Sequence, residues 1–240
     1  MDLIVVVPAL NEADRIRSLL DPLTRNGVPV IVVDGGSADR TVEVARACGA
    51  QVIVAERGRA TQLHAGAQRA LAAGANRLLF VHADSRLPAG WAEQVRACRR
   101  PWARFDVRLQ SEHGSTMLLR LVGASMNLRS RLTGICTGDQ GLFVEARAYQ
   151  ACGGYPLQPL MEDIELSARL KRHCGRPDRL PGPIAVSARR WVDHGPLRTI
   201  VSMWWFRLRY FFGVPPARLA AEYYRASAAP ADPRVRGRPL

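Results

Sequence analysis

The chain has 240 residues, 48% apolar and 23% charged, which excludes wholesale disorder and suits one large or two small globular domains. Its net charge of +13 is almost all arginine, with Lys171 the single lysine, and suits nucleic acid, anionic lipid or a diphosphate without choosing among them. No run of eighteen apolar residues exists to form an ordinary membrane span, and Asp2 before a short apolar run is unlike a secretory leader.

Residues 3–8 form a continuous apolar run, the pattern of a strand buried on both faces. Asn11 or Asp14 is available to cap a helix reaching about Arg25. Residues 30–33 predict a second strand, and Ser37 and Asp39 offer N-caps for a helix to about Cys48. A strand over 52–55, a helix over 60–73 and a strand over 78–81 follow. This alternation predicts an α/β fold, a mostly parallel sheet with helices on both faces. After Trp91 the rhythm changes. Residues 105–109 read as a more exposed strand, 115–132 as a long helix, 138–141 as a loop, 142–144 as a strand and 163–172 as a helix. Residues 200–214 mix aromatics with Arg207 and Arg209. Pro230, Pro233, Gly237 and Pro239 mark a tail, so the expectation is one domain over 1–225 and a disordered tail over 226–240. Cys48, Cys98, Cys136, Cys152 and Cys174 form no CxxC pair, which points to reduced thiols in the cytoplasm rather than a zinc ribbon or disulfide framework.

In open parallel sheets, ligands bind beyond the carboxyl ends of the strands. Pro8, Asn11 and Glu12 follow the first strand and Asp34 ends the second. No GxGxxG motif is present, which disfavours a dinucleotide site. Asp34 can accept from a ribose or base, or simply close a tight turn through Ser37. Arg57 and Arg59, around Gly58, suit phosphate oxygens or a solvated loop. His82 and Asp84 share one face of an extended segment, where a carboxylate can hold Mg²⁺ or Mn²⁺ shared with a diphosphate. Glu162 and Asp163 open a helix, either as caps or with Asp163 as a general base. Arg190 beside Trp191 offers phosphate and acceptor contacts, or a core tryptophan with a surface arginine.

In this order the segments 6–12, 33–41, 81–85 and 161–166 resemble those of family 2 glycosyltransferases with the GT-A fold, over roughly residues 3–192. Arg-Gly-Arg, His-Ala-Asp, Gly-Asp-Gln-Gly and Ala-Arg-Arg-Trp resemble a compact bacterial subgroup. The resemblance implies an inverting transfer of one sugar from a nucleotide-diphosphate donor, a UDP-sugar by the family's commonest usage, to an acceptor hydroxyl. It implies a donor pocket of Pro8, Asn11, Glu12, Asp34, Arg57, Arg59, Gln62, His82 and Asp84, with Asp84 the ligand of Mg²⁺ or Mn²⁺. Asp163 is then the base, and Asp139, Gln140, Glu162, Arg190 and Trp191 lie toward the acceptor. The chain departs from the family in two places. His82 stands where the family has the first acid of Asp-x-Asp, and Ser187 stands where processive members have the glutamine of Gln-x-x-Arg-Trp.

Two other classes compete. A nucleotidyltransferase would carry a glycine-rich, lysine-bearing loop after the first strand, where this chain has Ala9-Leu10-Asn11-Glu12. A non-enzymatic basic module for nucleic acid or membrane would not gather Asp34, Asp84 and Asp163 at element ends, so no nucleic-acid partner is expected. The arginines and aromatics of 200–214 suit a membrane interface and a lipid acceptor, which would put a cytoplasmic enzyme on the membrane's cytoplasmic face, or else a helix packed on the sheet.

Overall fold

A computed structural model describes residues 2–111, 116–189 and 196–228. Strands β1 (Leu3–Ala9), β2 (Val30–Asp34), β3 (Gln51–Val54) and β4 (Arg77–Phe80) alternate with helices α1 (Ala13–Arg25), α2 (Thr41–Ala47) and α3 (Arg59–Ala72). Then come β5 (Ser85–Arg86), α4 (Trp91–Ala97), β6 (Trp102–Gln110), α5 (Met117–Thr133), a 3₁₀ turn (Gly138–Gln140), β7 (Leu142–Glu145) and α6 (Ala146–Ala151). Helix α7 (Glu162–Cys174), β8 (Asp178–Ser187), α8 (Pro196–Phe211) and α9 (Pro216–Ala228) complete the described chain. The sheet order is β3-β2-β1-β4-β7-β6-β8-β5. Pairings β1–β2, β1–β4, β2–β3 and β6–β8 are parallel, and β4–β7, β6–β7 and β5–β8 antiparallel.

β1 shows why the run at 3–8 is continuously apolar. Leu3, Val5 and Val7 enter one hydrophobic cluster, with residues of α1, α4 and α5, while Ile4 and Val6 enter the other, with residues of α3 and α7. Helix α3 lies close on the sheet at Gly66, where a Cβ would sit 2.4 Å from Val6 and 2.8 Å from Val33. A third, small cluster joins Leu160 and Met161 to Phe206 of α8 and Leu219 of α9, so the last two helices fasten to the loop before α7.

The four leading strands fall within two residues of their sequence expectation, and all five cysteines are free thiols. The capping expectation holds for Asp39, which accepts from the N–H of Thr41, the first residue of α2, at 3.0 Å, and also from the N–H of Ala13 at the start of α1. Ser37 instead accepts from the backbone N–H of Asn11, and Thr41 accepts from that of Glu12. The N-cap residues Glu12 and Arg40 make no side-chain cap bond of their own. Strand β8 escapes the pattern because Pro181, Gly182 and Pro183 interrupt it at a register shift against Phe105 and Asp106 of β6. Helix α9 runs to Ala228, three residues past the expected boundary of the tail.

Candidate active site

The carboxyl ends of β1 and β2 are laced together. Asn11 adopts φ +55°, a left-handed conformation asparagine tolerates, and its side-chain oxygen accepts from the Ala38 N–H at 2.8 Å. Asp34 is buried and accepts from the N–H groups of Gly36 (2.9 Å) and Ser37 (3.0 Å) and from the Ser37 hydroxyl. It therefore shapes the turn as well as facing the strand ends. Gln62 is corrected from a pocket residue to a tie beneath the pocket. It is buried, and its amide donates at 2.8 Å to the carbonyls of both Ala9 and Val33. Gln62→Leu should cost about 1–3 kcal/mol through the loss of two buried hydrogen bonds, although the Ala9 carbonyl keeps the Gly35 N–H. The loss reads as a lower denaturant midpoint at unchanged slope.

Beyond β4, carboxylates crowd. Burial, then the Asp139 charge, hold Asp84 above the usual carboxylate range, while His82 pulls the other way. Burial, then Asp84, also raise Glu12, with Arg15 and Arg189 opposing. His82 sits 3.4 Å from Asp139. Burial works against its charged form, but its contact with Asp139 outweighs that and raises its pKa. These oxygen donors, repelling one another, suit Mg²⁺ or Mn²⁺. Among the described residues no group of three or more His, Cys, Asp or Glu side chains forms a complete cage.

Opposite lies Asp163. It accepts from the N–H groups of Gly138 at 2.9 Å and Ile164 at 2.8 Å. Burial, then the Glu162 charge, raise its pKa against the pull of Arg59. Just before it, Met161 takes φ +64°, an outlier costing roughly 1–3 kcal/mol that turns the chain into α7. Glu162 is corrected from an acceptor contact to a buried partner of Arg59, hydrogen-bonded to its Nε. Burial disfavours the charge on Arg59, but Glu162, Asp163 and Asp139 more than restore it and raise its pKa. Gln140 is likewise corrected. It is fully buried, with its side-chain oxygen accepting from the Ser130 hydroxyl at 2.7 Å.

The Gly138 turn joins the two sides, since its N–H holds Asp163 and its Cα lies against the His82 ring. A Cβ there would come within 2.5 Å of His82 Nε2. Gly138→Ala should cost about 1–3 kcal/mol by overpacking and lower turnover more than donor affinity, as separate kcat and KM values would show.

A cavity of about 300 Å³ is lined by Arg59, Asp139 and Asp163 together with Leu160, Met203, Phe206 and Tyr223. Pro8 is half-buried at the end of β1, and Arg57 is exposed on the β3–α3 loop. Arg190 and Trp191 lie outside the described residues. Two arginines escaped the sequence reading. Arg15 lies 3.4 Å from Glu12. Arg129, half-buried in α5, is drawn down by burial against the pull of the Asp163 and Asp139 charges. Within a long arginine-bearing helix, no local motif marks it.

Residues 4–97 match the model of glycosyl transferase family 2. A 4,4'-diaponeurosporenoate glycosyltransferase of Staphylococcus aureus (strain bovine RF122 / ET3-1) is 40% identical over 88 residues, 34% of this chain and 24% of that protein. The chain thus spans about a quarter of the length of that curated relative. S. aureus TarS 1-349 in complex with UDP has TM-score 0.58 and 18% identity, over 78% of this chain and 60% of that one. Glucosyl-3-phosphoglycerate synthase from Mycobacterium tuberculosis, in complex with Mn²⁺, UDP-glucose and phosphoglyceric acid, has TM-score 0.53 and 20% identity, over 77% and 71%. At these identities the likeness is one of fold, the GT-A fold of glycosyltransferases.

Proposed function

We propose that this chain, whose residues 4–97 match the model of glycosyl transferase family 2, is a member of that family and transfers one sugar from a nucleotide-diphosphate donor to the hydroxyl of an amphiphilic acceptor. The observation that carries the reading is Asp163, a half-buried carboxylate of raised pKa on the wall of a cavity that Asp139 also lines, with the Asp139 charge acting on Asp84. The UDP and UDP-glucose bound by the structural neighbours support a uridine donor.

In this reading the laced turns at 8–12 and 34–41 cradle the nucleoside, and Arg57 and Arg59 face its diphosphate. The acceptor hydroxyl gives its proton to Asp163 as its oxygen bonds to the anomeric carbon. The bond from that carbon to the diphosphate breaks, the diphosphate leaves with the electron pair, and configuration inverts. When bound by Asp84, Mg²⁺ or Mn²⁺ supplies positive charge against the leaving group. Arg59, locked on Glu162, adds fixed charge at no reorganisation cost. The apolar residues in the cavity's lining suit a lipid-like acceptor tail. Free thiols fit a reducing compartment, and the reading puts the enzyme in the cytoplasm at the membrane surface.

The test is thermal shift against nucleoside diphosphates and nucleotide sugars with Mn²⁺, Mg²⁺ or EDTA. A metal-dependent rise with one base, equivalent to about 2.7 kcal/mol at a hundredfold excess over Kd, is expected. A folded protein that shifts with no nucleotide would overturn the reading.

A further inference from the structure

Helix α5 carries apolar side chains on the wrong side. Leu119, Val122 and Met126 face the core, as the hydrophobic effect requires. Yet Met117, Leu121, Leu128 and Leu132 recur at spacings that form one stripe on the opposite, outer face, where they are 79%, 57%, 57% and 66% exposed. Helix α8 repeats the arrangement. Phe206 and Thr199 are buried, while Val201, Trp204, Trp205, Leu208 and Phe211 are exposed, and Phe212 follows them. The two helices adjoin across a narrow cleft lined by Met126, Arg129, Met203 and Arg207. Met203 and Arg207 also line the cavity that holds Asp163. No described helix is long and apolar enough to cross a membrane.

We propose that the outer faces of α5 and α8 together form a docking surface for an anionic lipid bilayer, lying in its interface beside the mouth of the acceptor cavity. Charge chooses this occupant. Exposed Arg120 of α5 and Arg198 of α8 flank the apolar stripes, in a chain of net charge +13. Phosphatidylglycerol-like headgroups complement those arginines, whereas a two-fold contact between copies would press them against their own kind. Tryptophan beside arginine, as in Trp205 with Arg209 5.8 Å from its ring centroid, suits the headgroup boundary. The stripe of α5 extends the surface beyond the 200–214 segment that composition alone singles out. Only the cavity's role in the proposal rests on the transferase reading.

Flotation with phosphatidylcholine vesicles, with and without phosphatidylglycerol, tests it on the full chain. Wild type should float with the anionic vesicles at low salt and be released by high salt. Leu121→Glu combined with Leu128→Glu should cut partitioning by about tenfold or more while keeping the wild-type nucleotide thermal shift. Absence of wild-type flotation would overturn the proposal, as would undiminished flotation of the double variant. So would a wild-type dimer in light scattering that the double variant dissolves, which would assign the face to a second copy. Flotation without any nucleotide shift would uphold the docking surface and sink the transferase reading.

Discussion

Asp163→Asn should lower kcat by about 10²–10⁴-fold, the usual worth of a positioned base, and leave donor affinity near wild type. The substitution keeps the shape of the side chain. It loses the carboxylate that could take a proton and turns one acceptor into a donor facing the Gly138 or Ile164 N–H. That mismatch destabilises, but relief of the repulsion from Glu162 offsets it, so the melting temperature should move little. The pH profile gives an independent reading. A base works deprotonated, so activity falls as pH drops through the Asp163 pKa. Burial and Glu162 raise that pKa in the free enzyme, so the acid limb of kcat/KM should lie above the ordinary aspartate value of about 3.9. A limb at or below that value would remove Asp163 from the role.

Asp84→Asn should separate stability from function. The ionised Asp84 is disfavoured in the folded state by burial and by Asp139. Its folded pKa lies above its unfolded one, so the folded state binds the proton more tightly. Asp84 therefore lowers stability at neutral pH, and that penalty fades as pH falls through the raised pKa. The neutral variant should melt no lower than wild type in EDTA at neutral pH. The nucleotide shift in Mn²⁺, equivalent to about 2.7 kcal/mol at a hundredfold excess over Kd, should then vanish. A variant that melts lower in EDTA, or keeps the full metal-dependent shift, would contradict the assignment. The trade is the one expected where a site gathers like charges for a ligand.

The cluster at the strand ends was open to reading because its residues sit in consecutive strand-end loops. Once β1 to β4 are recognised from their apolar runs, Asn11, Asp34 and Asp84 must meet at one edge of the sheet. Depth was not open in the same way. Gln62 and Gln140 are polar residues near motif positions, and only packing reveals that both lie under the surface. Glu162 and Asp163 are adjacent in sequence yet divide into a buried ion-pair partner and a cavity-lining acid, because the left-handed turn at Met161 sets the start of α7. The outward stripe of α5 was hidden because apolar residues surround that helix, and periodicity alone does not say which face the core takes.

The Arg59–Glu162 pair carries a further consequence. The strand-end groups at residues 8–84 lie within the segment that matches the family model, and the residues lining the cavity at Asp163 come from 137–224 apart from Arg59. Arg59 opens α3 on one side, Glu162 opens α7 on the other, and their contact fastens the two helix starts together. A substitution that breaks the pair therefore reaches the strand-end loops and the cavity wall at Asp163 at once, since Arg59 belongs to both.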